Sequence, residues 1–402
     1  MKKKLLFFSI IILIVLSVII FKIYTNDNVA DENINQEEKL PPAKDVLNVK
    51  NGKYVLAFSE ANDTRENKGS FFVINKEGVY LSRSEELDIS DPIAFKQQGN
   101  EAYLVNNSSN KRYSVNLASG EIKNIEAKNQ NDGQSFTLNA NGEYVIYDVA
   151  NDYNKNQQLV YWNPKTPEDK KIMTIPNGFA QSIYVYNDVA YITTSNPDAI
   201  EYVHQVNLKT GKLLNSKKLK LKSEEYTQNG LPSNQSIIMF NKKLYVAVTK
   251  TTVIPAAENY ESDVYEFAGR LIQLNPKTLE IEKKIAINDK DFNPDTLAVV
   301  NDQLIVLDTF KQAYSMDKNN KLSMMKFSLN QEMKNELEKI DTMTEQVTIK
   351  DEKAYIFTQY VQNEKNRGEI NEYDLKDGNH LSRTIISYPT KNYYLMTFSV
   401  LN

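Results

Sequence analysis

The stretch VHQVNLKTGKLLNSKKL, Val203 to Leu219, decides the fold of this chain. Apolar and polar residues alternate up to Asn207, Leu208-Lys209-Thr210-Gly211 turns the chain, and a second run leads away. Period-two alternation on both sides of a glycine turn marks a β-hairpin. The phrase returns as LIQLNPKTLEIEKKIAI (271–287), RYSVNLASGEIKNIEA (112–127) and INEYDLKDGNHLSRTII (370–386). Weaker copies are FFVINKEGVYLSR (71–83), LVYWNPKTPEDKKIMTI (159–175) and AYSMDKNNKLSMMKFSL (313–329).

A second phrase precedes each copy: a tight polar turn, then an aromatic or apolar pair. It reads Asn51-Gly52 before Tyr54-Val55, Asn100-Glu101 before Tyr103-Leu104, and Asn141-Gly142 before Tyr144-Val145. It continues with Asn187-Asp188, Asn241-Lys242, Asn301-Asp302 and Asp351-Glu352. The anchors lie roughly 40–60 residues apart, the spacing of propeller blades. Two hairpins per unit make four antiparallel strands, which is one blade. The chain therefore reads as all-β: a seven-bladed β-propeller of four-stranded antiparallel blades over 45–402, with six or eight blades the neighbouring solutions. The strand-like run 392–400 is expected to join the blade built from 45–83 and close the ring, which removes exposed edges. Residues 45–50 read as an inner strand of that first blade.

The Asn/Asp-Leu-Lys-Thr-Gly phrase resembles the YVTN and quinoprotein-like propeller repeats, over about residues 45–390. That resemblance implies a propeller and little about activity, because the family spans surface-layer proteins, binding scaffolds and some enzymes. A quinone-dependent member is expected to carry a Trp-rich docking motif, whereas this chain has one tryptophan, Trp162. No cofactor is expected.

The N-terminus reads differently. Met1-Lys2-Lys3-Lys4 is a basic tip, and Leu5 to Phe21 runs without a charge. Residues 5–24 read as a transmembrane signal-anchor at the short end of a membrane span. The lysines hold the N-terminus cytoplasmic and send the remainder outward. Cleavage as a signal peptide and secretion is the alternative, with Asn28-Val29-Ala30 a poor site. Residues 25–44 read as a flexible, acidic, proline-tipped stalk. The composition fits a bacterial cell-envelope protein.

The chain has 402 residues, a net charge of −4 and no cysteine. These exclude nucleic acid as a partner, which needs a basic patch, and also disulfides, thiolate metal sites and cysteine nucleophiles. The two histidines, His204 and His380, read as surface residues and are too few for a three-histidine metal site. Asp289, Asp291, Asn293 and Asp295 alternate as in a calcium loop, but Pro294 and Val300 replace its glycine and closing glutamate. No Gly-x-Ser-x-Gly elbow occurs. Alternating lysines at 217–222 read as edge protection on an outer strand.

The connections carry the functional clue. Turns within each hairpin are short. Those between the second and third strands are long, at 60–69, 148–157, 195–202, 250–268 and 359–368. So are several between blades, at 222–234, 288–295 and 330–341, the last read as a short capping helix. Both sets emerge on one face, and insertions gathered on one face mark a binding face. Its candidate residues are Tyr153, Tyr202, Tyr260, Asp263, Tyr265, Phe267, Phe292 and Tyr360. The expected partner is a protein, peptide or envelope polymer. The leading expectation is a non-enzymatic binding scaffold. A carboxylate-based hydrolase or lyase in the central funnel, or an assembly component of an envelope complex, are the alternatives.

Overall fold

The computed structural model describes residues 40–60, 68–89, 92–106, 111–128, 133–135, 137–150, 157–196, 198, 200–221, 225–227, 235–254, 264–290, 292–308, 312–327, 342–362, 365–389 and 393–401. Among them the chain forms seven sheets, each built on four antiparallel strands, and no helix. The anchor expected at 5–24 and the helix expected at 330–341 lie outside the described residues.

Blade 1 runs from an inner strand Tyr393–Val400 through Tyr54–Glu60 and Gly69–Ile74 to an outer strand Tyr80–Ser84. Blades 2, 3 and 4 have inner strands Pro92–Gln98, Leu138–Ala140 and Phe179–Tyr186. In blade 5 the inner position is shared by Glu225–Thr227 and Ile237–Phe240, both paired with Lys243–Ile254. Blades 6 and 7 have inner strands Pro294–Val300 and Thr342–Lys350. Inner strands of neighbouring blades touch from blade 7 through blade 1 round to blade 6 and line a central axis.

The repeated residues are there for their turns. In every hairpin of third and outer strands an Asn or Asp caps the turn with its side chain. The seven are Asn75, Asn116, Asn163, Asn207, Asn275, Asp317 and Asp374. This local capping is why Asn and Asp are favoured in turns. Gly120, Gly211 and Gly378 close three of these turns at φ of 79°, 66° and 79°. Blade 5 places Leu279 in that left-handed position, at φ 57° and fully buried. Between inner and second strands, Asn187-Asp188, Asn241-Lys242, Asn301-Asp302 and Asp351-Glu352 have positive φ at both residues. These are two-residue turns whose twist matches the flanking strands.

The core is divided among the seams. Seven apolar clusters of buried residues lie one between each pair of adjacent blades. Trp162 is buried between blades 2 and 3, edge-on to Tyr103 and Tyr147.

The C-terminal strand closes the ring as expected, with Tyr54 opposite Val400 and Glu60 opposite Tyr393. The reading of 45–50 is corrected. Ala43–Lys44 pairs in parallel with Arg83 and Ser84 as a fifth, outermost strand of blade 1. The chain then crosses to blade 2, where Val46 bridges Glu121 and Leu47 N–H donates to Gly120 O at 2.9 Å. Leu40 packs in the seam of blades 7 and 1, and Leu47 in that of blades 1 and 2. Tyr393–Val400 already fills the inner edge, so this segment covers the outer one.

Candidate functional site on the elaborated face

Two hairpins extend past their own blades on the face opposite the two-residue turns. In blade 5, Lys243–Ile254 pairs with Val264–Leu274 up to Ile254 opposite Val264. The inner strand ends opposite Lys250, and the outer strand's last pair is Ala268 with Lys290. Residues 252–254 and 264–266 thus form a two-stranded ribbon, with no third strand paired there among the described residues. In blade 7, Lys353–Gln362 and Lys365–Asp374 pair to Gln362 opposite Lys365. Much of the loops expected at 250–268 and 359–368 is therefore strand. Thr251, Thr252, Val253 and Ile254 are all β-branched and favour that state.

The axis is lined by the inner strands, most of which bulge at one level. Breaks in register fall between Pro92 and Ala94, Ala180 and Ser182, Pro294 and Thr296, and Thr344 and Gln346. The next residues along, Ala94, Ser182, Thr296 and Gln346, are buried and small or polar. Several such side chains reach the next blade. Ser182 Oγ accepts from Ser236 N–H at 3.1 Å, and Asn139 Nδ2 donates to Ile183 O at 2.9 Å. Gln235 Nε2 also donates to Ile183 O, at 2.9 Å, while the Gln235 backbone carbonyl accepts from Leu297 N–H at 2.7 Å. Blades 3 to 6 are stitched together around the axis in this way.

The one described carboxylate side chain on an inner strand, Glu225, turns outward. It accepts from Arg270 and, at 3.4 Å, from Lys284, and is almost wholly buried. Side chains of Asp295 and Glu345 lie outside the described residues. Among the described residues no group of three or more His, Cys, Asp or Glu could hold a metal. No helix among them is long and apolar enough to cross a membrane.

A polar layer caps the apolar seam between blades 3 and 4. His204 is fully buried there, not on the surface. Its strand belongs to blade 4, and its face packs against blade 3, which alternation alone does not reveal. Thr194 Oγ1 donates to Asn177 O at 2.7 Å, so it accepts from His204 Nε2 at 2.9 Å. That fixes the neutral tautomer and leaves Nδ1 buried without a partner. Burial pushes the imidazole down to about 4. Across the seam, Gln157 Oε1 accepts from Ala180 N–H at 2.5 Å. His380 is half-buried, with Nε2 at 3.1 Å from Asn371 Oδ1.

Of the candidate binding residues, Tyr153, Tyr260 and Asp263 lie outside the described residues. Tyr265 falls on the blade 5 ribbon, Phe267 on the same strand just before the blade proper, and Tyr360 on the blade 7 hairpin. Tyr202 is half-buried and stacks on His204 at 6.0 Å between centroids. Phe292 presents no binding surface: it is 1% exposed and meets Tyr314 edge-on at 5.0 Å. Gly269 makes room for it, since a Cβ there would lie 2.9 Å from its ring. A lone glycine inside a strand was the signal for that close approach.

The structure shares its fold with known proteins of very different sequence. A cobalt-substituted Synechocystis apocarotenoid oxygenase superposes with a TM-score of 0.51 at 7% identity, covering 90% of this chain and 95% of that one. A point mutant of the same oxygenase gives 0.50 at 8% identity, covering 90% and 95%. Saccharomyces cerevisiae Sqt1 gives 0.45 at 10% identity, covering 83% and 82%. No family model matches the chain, and no curated relative does. At such identities the likeness to the oxygenase is one of fold alone, and the seven sheets make the chain a seven-bladed β-propeller.

Proposed function

We propose that this chain is a membrane-tethered, outward-facing binding scaffold that takes an extended polypeptide on its elaborated face. The blade 5 ribbon carries this reading. Its strands run beyond the ring, and residues 252–254 and 264–266 have only each other as strand partners among the described residues. A strand edge of this kind is a template for adding one more strand. On the opposite face, four blades end in two-residue turns between inner and second strands. The tether rests on the lysine tip and the uncharged run Leu5 to Phe21. Kinship with YVTN-like propellers rests on the Asn-Leu-Lys-Thr-Gly phrase at 207–211 and its copies. For the carboxylate-enzyme alternative, the one described carboxylate side chain on an inner strand, Glu225, is engaged by Arg270 and Lys284.

Site-specific photo-crosslinking in intact cells tests the reading. A photoreactive residue at Thr252 is expected to capture a partner, and one at Lys242, on the turn face, is not. Equal capture from both positions, or capture from Lys242 alone, refutes it. External protease should digest the propeller of intact cells; protection overturns the outward orientation.

A further inference from the structure

We propose that the outer edge of blade 4 docks the acidic N-terminal stretch, residues 25–38, of a second copy of this chain. The proposal is independent of the ribbon. Between Tyr202 and Ser223 the chain carries six lysines and no acid, against a net charge of −4 overall. Lys212–Lys218 is the last strand of its sheet, so that edge is the outer rim of the blade. In every other blade the hairpin turn or outer strand brings an acid: Glu77, Glu121, Glu168, Glu280, Asp317 and Asp374. Lys209 pairs with Asp188 at 2.6 Å, and Lys217 with Glu280 of blade 5. Lys212, Lys218 and Lys220 are exposed and form no ion pair among the described residues. The strand also bulges. Gln205 faces Asn215 and Val206 faces Leu213, which leaves Leu214 unpaired and 52% exposed beside Leu213 at 40%.

Lysines and a bulge on an outer strand keep two such edges apart. They repel another cationic edge and attract an acidic segment, so they select by charge what lies there. Thr25 to Glu38 holds Asp27, Asp31, Glu32, Glu37 and Glu38 and no base. Val29 and Ile34 within it supply apolar side chains for the exposed Leu213 and Leu214. The chain just after this stretch already covers an outer edge, where Ala43–Lys44 pairs with blade 1. A second copy is the occupant because of where the stretch leads in. Leu40 packs in the seam of blades 7 and 1, and blade 4 stands three blades from blade 1, as far as a ring of seven allows. To reach its own blade 4 the stretch would have to span the ring, whereas a neighbouring copy presents it there directly. Each copy offers one stretch and one edge, so the contact is head-to-tail.

The chain has no cysteine, so single introduced cysteines report the contact without background. Full-length Ile34→Cys and Leu214→Cys, purified separately with tags of different size in nonionic detergent, are mixed and treated with a short bis-maleimide. A mixed dimer is expected. Ile34→Cys with Leu381→Cys, at an exposed position on the outer strand of blade 7, should give none. Lys212→Glu, Lys218→Glu and Lys220→Glu together should abolish the dimer, and Asp27→Lys, Asp31→Lys and Glu32→Lys in the other partner should restore it. If the lysine variant does not fold, salt decides: the yield from the first pair should fall steadily as sodium chloride screens the charges. No mixed dimer, an equal yield from Leu381→Cys, or a yield indifferent to the lysines or to salt overturns the docking. So does a chain carrying both Ile34→Cys and Leu214→Cys that crosslinks only to itself.

Discussion

Gln346 holds both backbone groups of Phe398. Its Oε1 accepts from Phe398 N–H at 3.0 Å, and its Nε2 donates to Phe398 O at 3.4 Å. Gln346 sits on the last blade's inner strand and Phe398 on the C-terminal strand that completes the first. One buried amide therefore joins the two ends of the ring across a seam that no backbone ladder spans.

Replacing that amide should loosen the closure. Gln346→Leu leaves a buried N–H and a buried C=O without their partner. Each such group costs about 1–3 kcal/mol. Urea unfolding is expected to show a loss of this order, with Gln346→Glu intermediate because it keeps the acceptor. An unchanged midpoint in Gln346→Leu would mean that the bond adds nothing to closure.

Two glycines with similar backbone angles should respond differently to alanine. Gly120 has φ 79°, and a Cβ there would collide with the Leu47 carbonyl. Gly99 has φ 56° and open space around it. Gly99→Ala should cost only the left-handed strain, about 1 kcal/mol. Gly120→Ala should cost more and should also release residues 40–50, seen as faster amide exchange at Leu47. Equal costs would show that the N-terminal segment is not held at Gly120.

His204 should make the protein acid-sensitive. Its folded imidazole titrates at about 4, below the ordinary 6.5, so the unfolded chain takes up the proton first as pH falls. The contribution is complete above about pH 6.5 and is lost progressively between there and about pH 4. A shift of this size corresponds to about 3 kcal/mol. Stability measured by urea at stepped pH should therefore fall less steeply in His204→Gln than in the wild type over that window. Parallel slopes would assign the acid sensitivity to other groups.

Glu225 is expected to be costly to remove singly and cheap to remove with its partners. Glu225→Ala leaves Arg270 and Lys284 facing a buried site without their carboxylate. Breaking a buried pair on one side costs roughly 3–5 kcal/mol. Glu225→Met combined with Arg270→Met should recover most of that loss in chemical denaturation. Additive losses would contradict an ion pair as the cause.

The parts of the fold legible in sequence are those written in local chemistry. Asn207 and its six equivalents are visible because a side-chain cap needs Asn or Asp at one position. The closing strand is visible because Tyr393–Val400 has no hairpin partner after it in sequence. What stayed hidden depends on contacts between blades. His204 lies on a strand of mixed pattern, and only the neighbouring blade decides that its face is buried. Residues 45–50 have strand-like composition, yet the inner edge they were expected to fill is taken by residues some 350 positions later. The residue types of 359–368 fit a polar loop and an extended hairpin equally, and only the pairing of Gln362 with Lys365 separates them.

The outer strand Ala43–Lys44 has a mechanical consequence. A pull from the N-terminal side of Leu40 loads the rim of blade 1 first, where two residues pair with Arg83 and Ser84. The strand that shuts the ring lies at the opposite edge of the same sheet. Tension thus peels a short outer fuse before it reaches the closure, and slack lets that fuse re-form against an intact ring.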